Sequence, residues 1–159
     1  MSKNYVIGFP RIGEKRELKK VLEDYWAKKV DFSEVKYVAE NLRKRHWTYQ
    51  KEAKIDFIAS NDFSLYDNML DSSILLGAIP KRFQHLKDEE LYFAMARGNQ
   101  DCVAMEMTKW FNTNYHYIVP EISKDTTFSL NSKKVIEEYK EALELEINKK
   151  INLIGAITY

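Results

Sequence analysis

A chain of 159 residues that is 45% hydrophobic and 31% charged has room for one domain with a real core, and its composition excludes disorder for the bulk of the chain. With 25 basic and 24 acidic side chains the net charge is +1, so no overall field draws in nucleic acid or an anionic membrane, and anion recognition must come from a local cluster. A single cysteine, Cys102, excludes an internal disulfide and a cysteine-pair metal site; no stretch approaches the ~20 apolar residues of a membrane helix, and a soluble cytoplasmic protein is expected.

The opening MSKNYVIGFP has an apolar run too short for a signal peptide. Within it, Tyr5 to Phe9 reads as a short buried strand closed by Pro10. Gly13 opens a helical segment in which Leu18, Val21, Leu22, Tyr25 and Trp26 recur at three- and four-residue spacing. Asp31 or Ser33 caps a second helix running to about Lys54. Ile55 to Ser60 is a second strand, and a helix follows from about Ser64 to Leu76 with Gly77 as its stop. Asp88 starts another helix that Gly98 ends, and Asp101 caps a short one through residues 102–111. Tyr115 to Pro120 is a third strand. Asn131 caps an amphipathic helix with Val135, Ile136, Tyr139, Leu143 and Ile147 inward, and Ile151 to Tyr159 is a fourth strand.

Strands alternating with helices indicate parallel crossover units, and the class is α/β. About four parallel strands are half of the eight in a closed barrel, which takes ~250 residues. A chain that ends on an apolar strand is therefore expected to be part of a (β/α)8, TIM-type barrel, with a small open sheet as the alternative.

Three stretches bear on function. In residues 8–20 a strand and a turn lead into a helix whose first turns carry Lys15, Arg16, Lys19 and Lys20. Cations there oppose the helix dipole at a cost of about 0.3–1 kcal/mol each. They form either a solvated basic face partnered by Glu14 and Glu17 or a site for a polyanion. In residues 60–83 a strand end delivers Ser60, Asn61 and Asp62 to the rim where parallel folds place their sites, with helix capping by Asp62 or Ser64 as the plainer role. In residues 104–121, Lys109, Asn112, Asn114, Tyr115 and His116 sit among aromatic neighbours, and Glu106 can pair with Lys109 at helical spacing. His46, His85 and His116 read as structural, and no nucleophile motif, metal-ligand spacing or phosphate-cradling glycine loop occurs.

The same stretches, GFPRIGEKRELKKVLEDYWAKK, SNDFSLYDNMLDSSILLGAIPKRF and AMEMTKWFNTNYHYIVPE, resemble the amino-terminal region of cobalamin-independent methionine synthases over nearly the whole chain. The resemblance implies a two-barrel enzyme that moves a methyl group from 5-methyltetrahydropteroyltri-L-glutamate to homocysteine, making methionine. Residues 1–159 then belong to the amino-terminal barrel. By the same resemblance Arg16, Glu17, Leu18, Lys19 and Lys109 contact the folate polyglutamate, with Asn114 a weaker candidate. Zinc and its His, Cys and Glu ligands belong to the carboxy-terminal barrel, which has no counterpart here. The expectation is a chain with no catalytic residue or metal site of its own, inactive alone and partnered by that missing barrel. The rival is a non-catalytic scaffold piece that self-associates through open strand edges. An independent small enzyme would need a nucleophile–base pair or metal cluster that the sequence lacks.

Overall fold

The computed structural model describes residues 2–159. In chain order the elements are α1 (Glu17–Trp26), α2 (Phe32–Glu52), β1 (Ile58–Ser60), α3 (Asn68–Leu75), a 3-10 turn (Lys81–Phe83), α4 (Asp88–Arg97), β2 (Met107–Lys109), β3 (His116–Ile118), α5 (Lys133–Glu144) and β4 (Lys149–Ile151). They fall into two units: residues 1–65 with 135–152, and residues 66–134 with 153–159.

The first unit is built on a parallel pair, β1 with β4, in the register Ile58↔Lys149, Ala59↔Lys150 and Ser60↔Ile151. On the other side of this segment Phe57 makes a parallel bridge to Tyr5. All three residues of β1 are buried, as expected of a strand covered on both faces. Against it pack Trp47, Ala142 and Ile147, and the Trp47 indole N–H donates to the Ala59 carbonyl at 3.0 Å. The α1 stripe is as the periodicity predicts, with Leu18, Val21 and Leu22 buried. Asn152 ties the strand ends together: its N–H donates to the Ser60 carbonyl, its side-chain amide to the Ile7 carbonyl, and its own carbonyl accepts from the Asn61 amide.

In the second unit Leu70, Phe83, Met95, Cys102, Met105 and Ile118 form a core with the alanines of α4. Gly77, at φ 63, follows the end of α3 in a left-handed conformation that suits glycine. β2 and β3 are an antiparallel hairpin in the register Met107↔Ile118, Thr108↔Tyr117 and Lys109↔His116.

Several expectations are corrected. Among the described residues the parallel sheet has two strands and a bridge at Tyr5, not four strands. The segment around Tyr115–Pro120 pairs antiparallel because its partner lies just upstream, across a short turn. That partner, β2, occupies the stretch expected to be a helix after Asp101, so the Glu106–Lys109 helical pair does not form. The last strand is Lys149–Ile151, and residues 152–159 leave the sheet at Asn152. The largest reversal is in α5. Of the residues expected inward Ile147 is buried and Val135 half-buried, but Ile136, Tyr139 and Leu143 are 47%, 37% and 49% exposed, while Glu138 and Ala142 are buried. A small residue admits the close approach to β1. The inward carboxylates have specific partners: Glu138 accepts from the Asn61 N–H at 3.1 Å and Glu141 takes Arg43 at 2.8 and 2.7 Å.

Candidate functional site

In the first unit the loop from Phe9 to Arg16 leads from the Tyr5 segment into α1. Gly13, at φ 83, turns it: the Arg16 N–H returns to the Gly13 carbonyl at 3.0 Å, and a Cβ at Gly13 would collide with the Glu17 carboxylate and with Leu42. Arg16 itself sits at φ 59, a left-handed conformation that costs a non-glycine residue roughly 1–2 kcal/mol. Its side chain is exposed, and among the described residues it makes no ion pair.

The four residues of the Arg-Glu-Leu-Lys run divide by role. Glu17 accepts from Arg45 at 2.8 Å and from the Lys15 N–H at 2.9 Å, and the Arg45 bond is the first cause of a carboxyl lowered to about 2. Leu18 is fully buried beneath the loop. Lys19 is exposed and lies 3.5 Å from Glu23 one turn on. One carboxylate and one leucine thus hold the loop while Arg16 and Lys19 face outward.

A small cavity beyond the end of β1 is lined by Phe9, Arg43, His46, Trp47, Gln50, Asp62 and Phe63. It is occupied by structural bonds. Asp62 accepts the Phe9 N–H at 2.9 Å, and a Cβ on Gly8 would approach that carboxylate to 3.3 Å. Asp62 does not cap the next helix; Asp67 does, accepting the Leu70 N–H at 3.0 Å. Arg43 is committed to Glu141. The His46 ring lies 4.6 Å from Phe9, and burial, then the Arg45 charge, pushes it below the ordinary value for histidine.

The second unit carries Lys109 and Asn114 on one hairpin. Lys109 ends β2 opposite His116, and Asn114 lies in the connecting turn; all three are exposed. Sequence reasoning placed these residues among aromatic neighbours but missed the hairpin that arranges them. Trp110 and Tyr117 lie 4.6 Å apart, Tyr115 is 49% exposed, and Phe111 is 89% exposed at φ 46. The signal was present as two aromatic runs around Asn112-Thr113-Asn114, which is hairpin patterning rather than a helix followed by a strand.

Cys102 is buried, with its thiol donating to the Arg82 carbonyl at 2.9 Å. Among the described residues no three His, Cys, Asp or Glu side chains are grouped to hold a metal ion. No described helix is long and apolar enough to cross a membrane.

The pattern of one protein family, described as the N-terminal domain of cobalamin-independent synthase, matches residues 3–159. A 5-methyltetrahydropteroyltriglutamate–homocysteine methyltransferase of Desulforamulus reducens is 67% identical over 156 residues, which cover 98% of this chain and 20% of that protein. Proteins of the same name from Flavobacterium johnsoniae and, as a chloroplastic form, Arabidopsis thaliana are each 50% identical over 96% and 98% of this chain. The chain spans about one fifth of the length of these curated relatives.

Proposed function

Since this chain belongs to the cobalamin-independent methionine synthase family, matching its N-terminal domain, we propose that it supplies cations that hold the polyglutamate tail of 5-methyltetrahydropteroyltri-L-glutamate. The whole protein would pass the methyl group of that folate to homocysteine. Arg16 and Lys19 would each take a carboxylate of the tail through charge-assisted bonds, and so would Lys109, with Asn114 donating beside it. Glu17 and Leu18 would act by holding the loop. The observation that carries this reading is Arg16: exposed, without an ion pair among the described residues, and kept in a left-handed conformation by a loop anchored at Glu17 and Leu18. Strain of that kind persists where the surroundings over-determine a geometry, and it clusters at ligand sites.

The parallel strands joined through helices also support placing this chain in a (β/α)8 barrel. Zinc does not fit the described residues, since Cys102 is buried and bonded and no ligand set converges. In this reading zinc and homocysteine belong to the carboxy-terminal barrel.

The test is titration with methyltetrahydrofolate bearing one or three glutamates. The triglutamate should bind about tenfold or more tightly, and Arg16→Ala should remove most of the difference. Equal affinities, or no binding, would remove Arg16, Lys19 and Lys109 from the site. A second reading, self-association, is favoured by the exposed Ile136, Tyr139 and Leu143 of α5 and by β4, which among the described residues pairs on one side only. Sedimentation that shows a monomer at high concentration would dismiss it.

A further inference from the structure

Asp67 precedes α3 and is 2% exposed. Its Oδ2 accepts two backbone N–H groups, that of Leu70 at 3.0 Å and that of Ile118 at 3.0 Å, 51 residues away in the chain. The first bond is an ordinary helix cap, which needs no burial and which serine or asparagine performs equally well. The second joins the start of α3 to β3. Its other oxygen, Oδ1, is buried and has no hydrogen-bond partner among the described residues. Burial pushes the carboxyl above the ordinary value for aspartate, with the two backbone bonds opposing. A helix cap alone leaves this burial unexplained, because it could be made at the surface; the tie to Ile118 cannot.

Ile118 is the register partner of Met107, at the base of the hairpin, and Lys109 pairs with His116 two residues further along. The base is fixed in other ways too: Ile118 is fully buried in the core, and the Val119 N–H donates to the Glu106 carbonyl at 2.8 Å. Beyond it Trp110 and Tyr117 are half-buried against each other, and the other side chains, Lys109 and His116 among them, are exposed. A strand advances about 3.3 Å per residue, so the Lys109–His116 pair stands ~7 Å from the tied amide. A small rotation at the base therefore moves Lys109 by a comparable fraction of that lever.

We propose that Asp67 is a positioning residue: its bond to the Ile118 amide sets the attitude of the β2–β3 hairpin and so where Lys109 presents its charge. The consequence for ligand affinity rests on the polyglutamate reading of Lys109; the tie itself does not.

Asp67→Ser separates the two bonds, since serine caps a helix while its hydroxyl, one bond shorter, falls short of Ile118. Asp67→Asn retains an acceptor at the position of Oδ2. In the full chain, affinity for methyltetrahydrofolate triglutamate should fall about tenfold in Asp67→Ser and stay within about twofold in Asp67→Asn. The double variant Asp67→Ser, Lys109→Ala should bind no more weakly than Lys109→Ala, because both act on one contact. Amide hydrogen exchange of Ile118 and Trp110 should accelerate in Asp67→Ser alone. Unchanged affinity in Asp67→Ser where Lys109→Ala weakens binding would overturn the proposal. Should Lys109→Ala bind like the parent chain, the ligand reading fails instead. Exchange at Trp110 then decides the tie: acceleration upholds it and no change ends it. If Asp67→Ser does not fold, the parent chain still answers. Its Ile118 amide should exchange more slowly than its Trp110 amide, and the reverse order rules the tie out.

Discussion

Arg16 and Glu17 are neighbours with opposite duties, and substitution separates them. Arg16→Gly removes the left-handed penalty, so thermal stability should rise, by up to about 1 kcal/mol, while preference for the triglutamate is lost. A melt and a titration on the same variant check both. Acid should act through Glu17 and His46 in sequence. His46 has its folded value depressed, so its contribution is present above the unfolded 6.5 and is lost as pH falls through the folded value. Glu17 is also depressed, from 4.5 to about 2, so its contribution begins to be lost only below 4.5. Denaturation across pH 7.5 to 3 should show a first loss absent from His46→Gln and a second absent from Arg45→Ala. Asp67 has the opposite sign: its raised value favours the fold below 3.8 and is lost as pH rises through the folded value, partly offsetting Glu17 in acid.

Among the elements, α5 shows best what pattern reading can and cannot see. Its periodicity is clear, but hydrophobicity places Ile136, Tyr139 and Leu143 inward where the structure buries Glu138 and Ala142. The inward choice depends on Arg43 of α2 and the Asn61 amide, about 80–100 residues away in the chain, which local patterning does not register. Arg43→Ala should therefore cost about 3 kcal/mol by leaving Glu141 partly buried without its partner. Leu143→Glu should stay within about 0.5 kcal/mol, and Ala142→Leu should cost about 1–3 kcal/mol by overpacking. Chemical denaturation of the three variants checks the orientation, and a costly Leu143→Glu would refute it. The α1 stripe and the stops at Gly77 and Gly98 were legible because they depend on neighbours within a turn or two. Asp67 was legible as a polar residue before a helix but was passed over for Asp62 and Ser64; its second bond, to Ile118, has no local trace.

For the whole molecule, the α/β class followed from alternation, and the family from three long motifs that the comparisons bear out. Strand count did not follow. Runs such as Tyr115–Pro120 announce a strand without announcing a partner, and an antiparallel neighbour just upstream, across a short turn, wins over a distant parallel one because closing the shorter loop costs less entropy. The candidate site was legible as cations in motifs, while the loop strain that distinguishes Arg16 from an ordinary solvated arginine emerged only with backbone angles.

The pairing of β1 with β4 has a consequence in time. Ile58 meets Lys149, so when the chain is made from its amino end, β1 leaves the ribosome long before its partner exists. At roughly 5–20 residues per second that interval is on the order of 5–20 s. Throughout it the Ile58-Ala59-Ser60 segment, buried on every residue in the finished fold, lacks β4, and for most of it the inner face of α5 as well. The nascent chain thus passes through a window in which this edge is bare, and chaperone occupancy should rise there and end once Asn152 has emerged to close the strand ends.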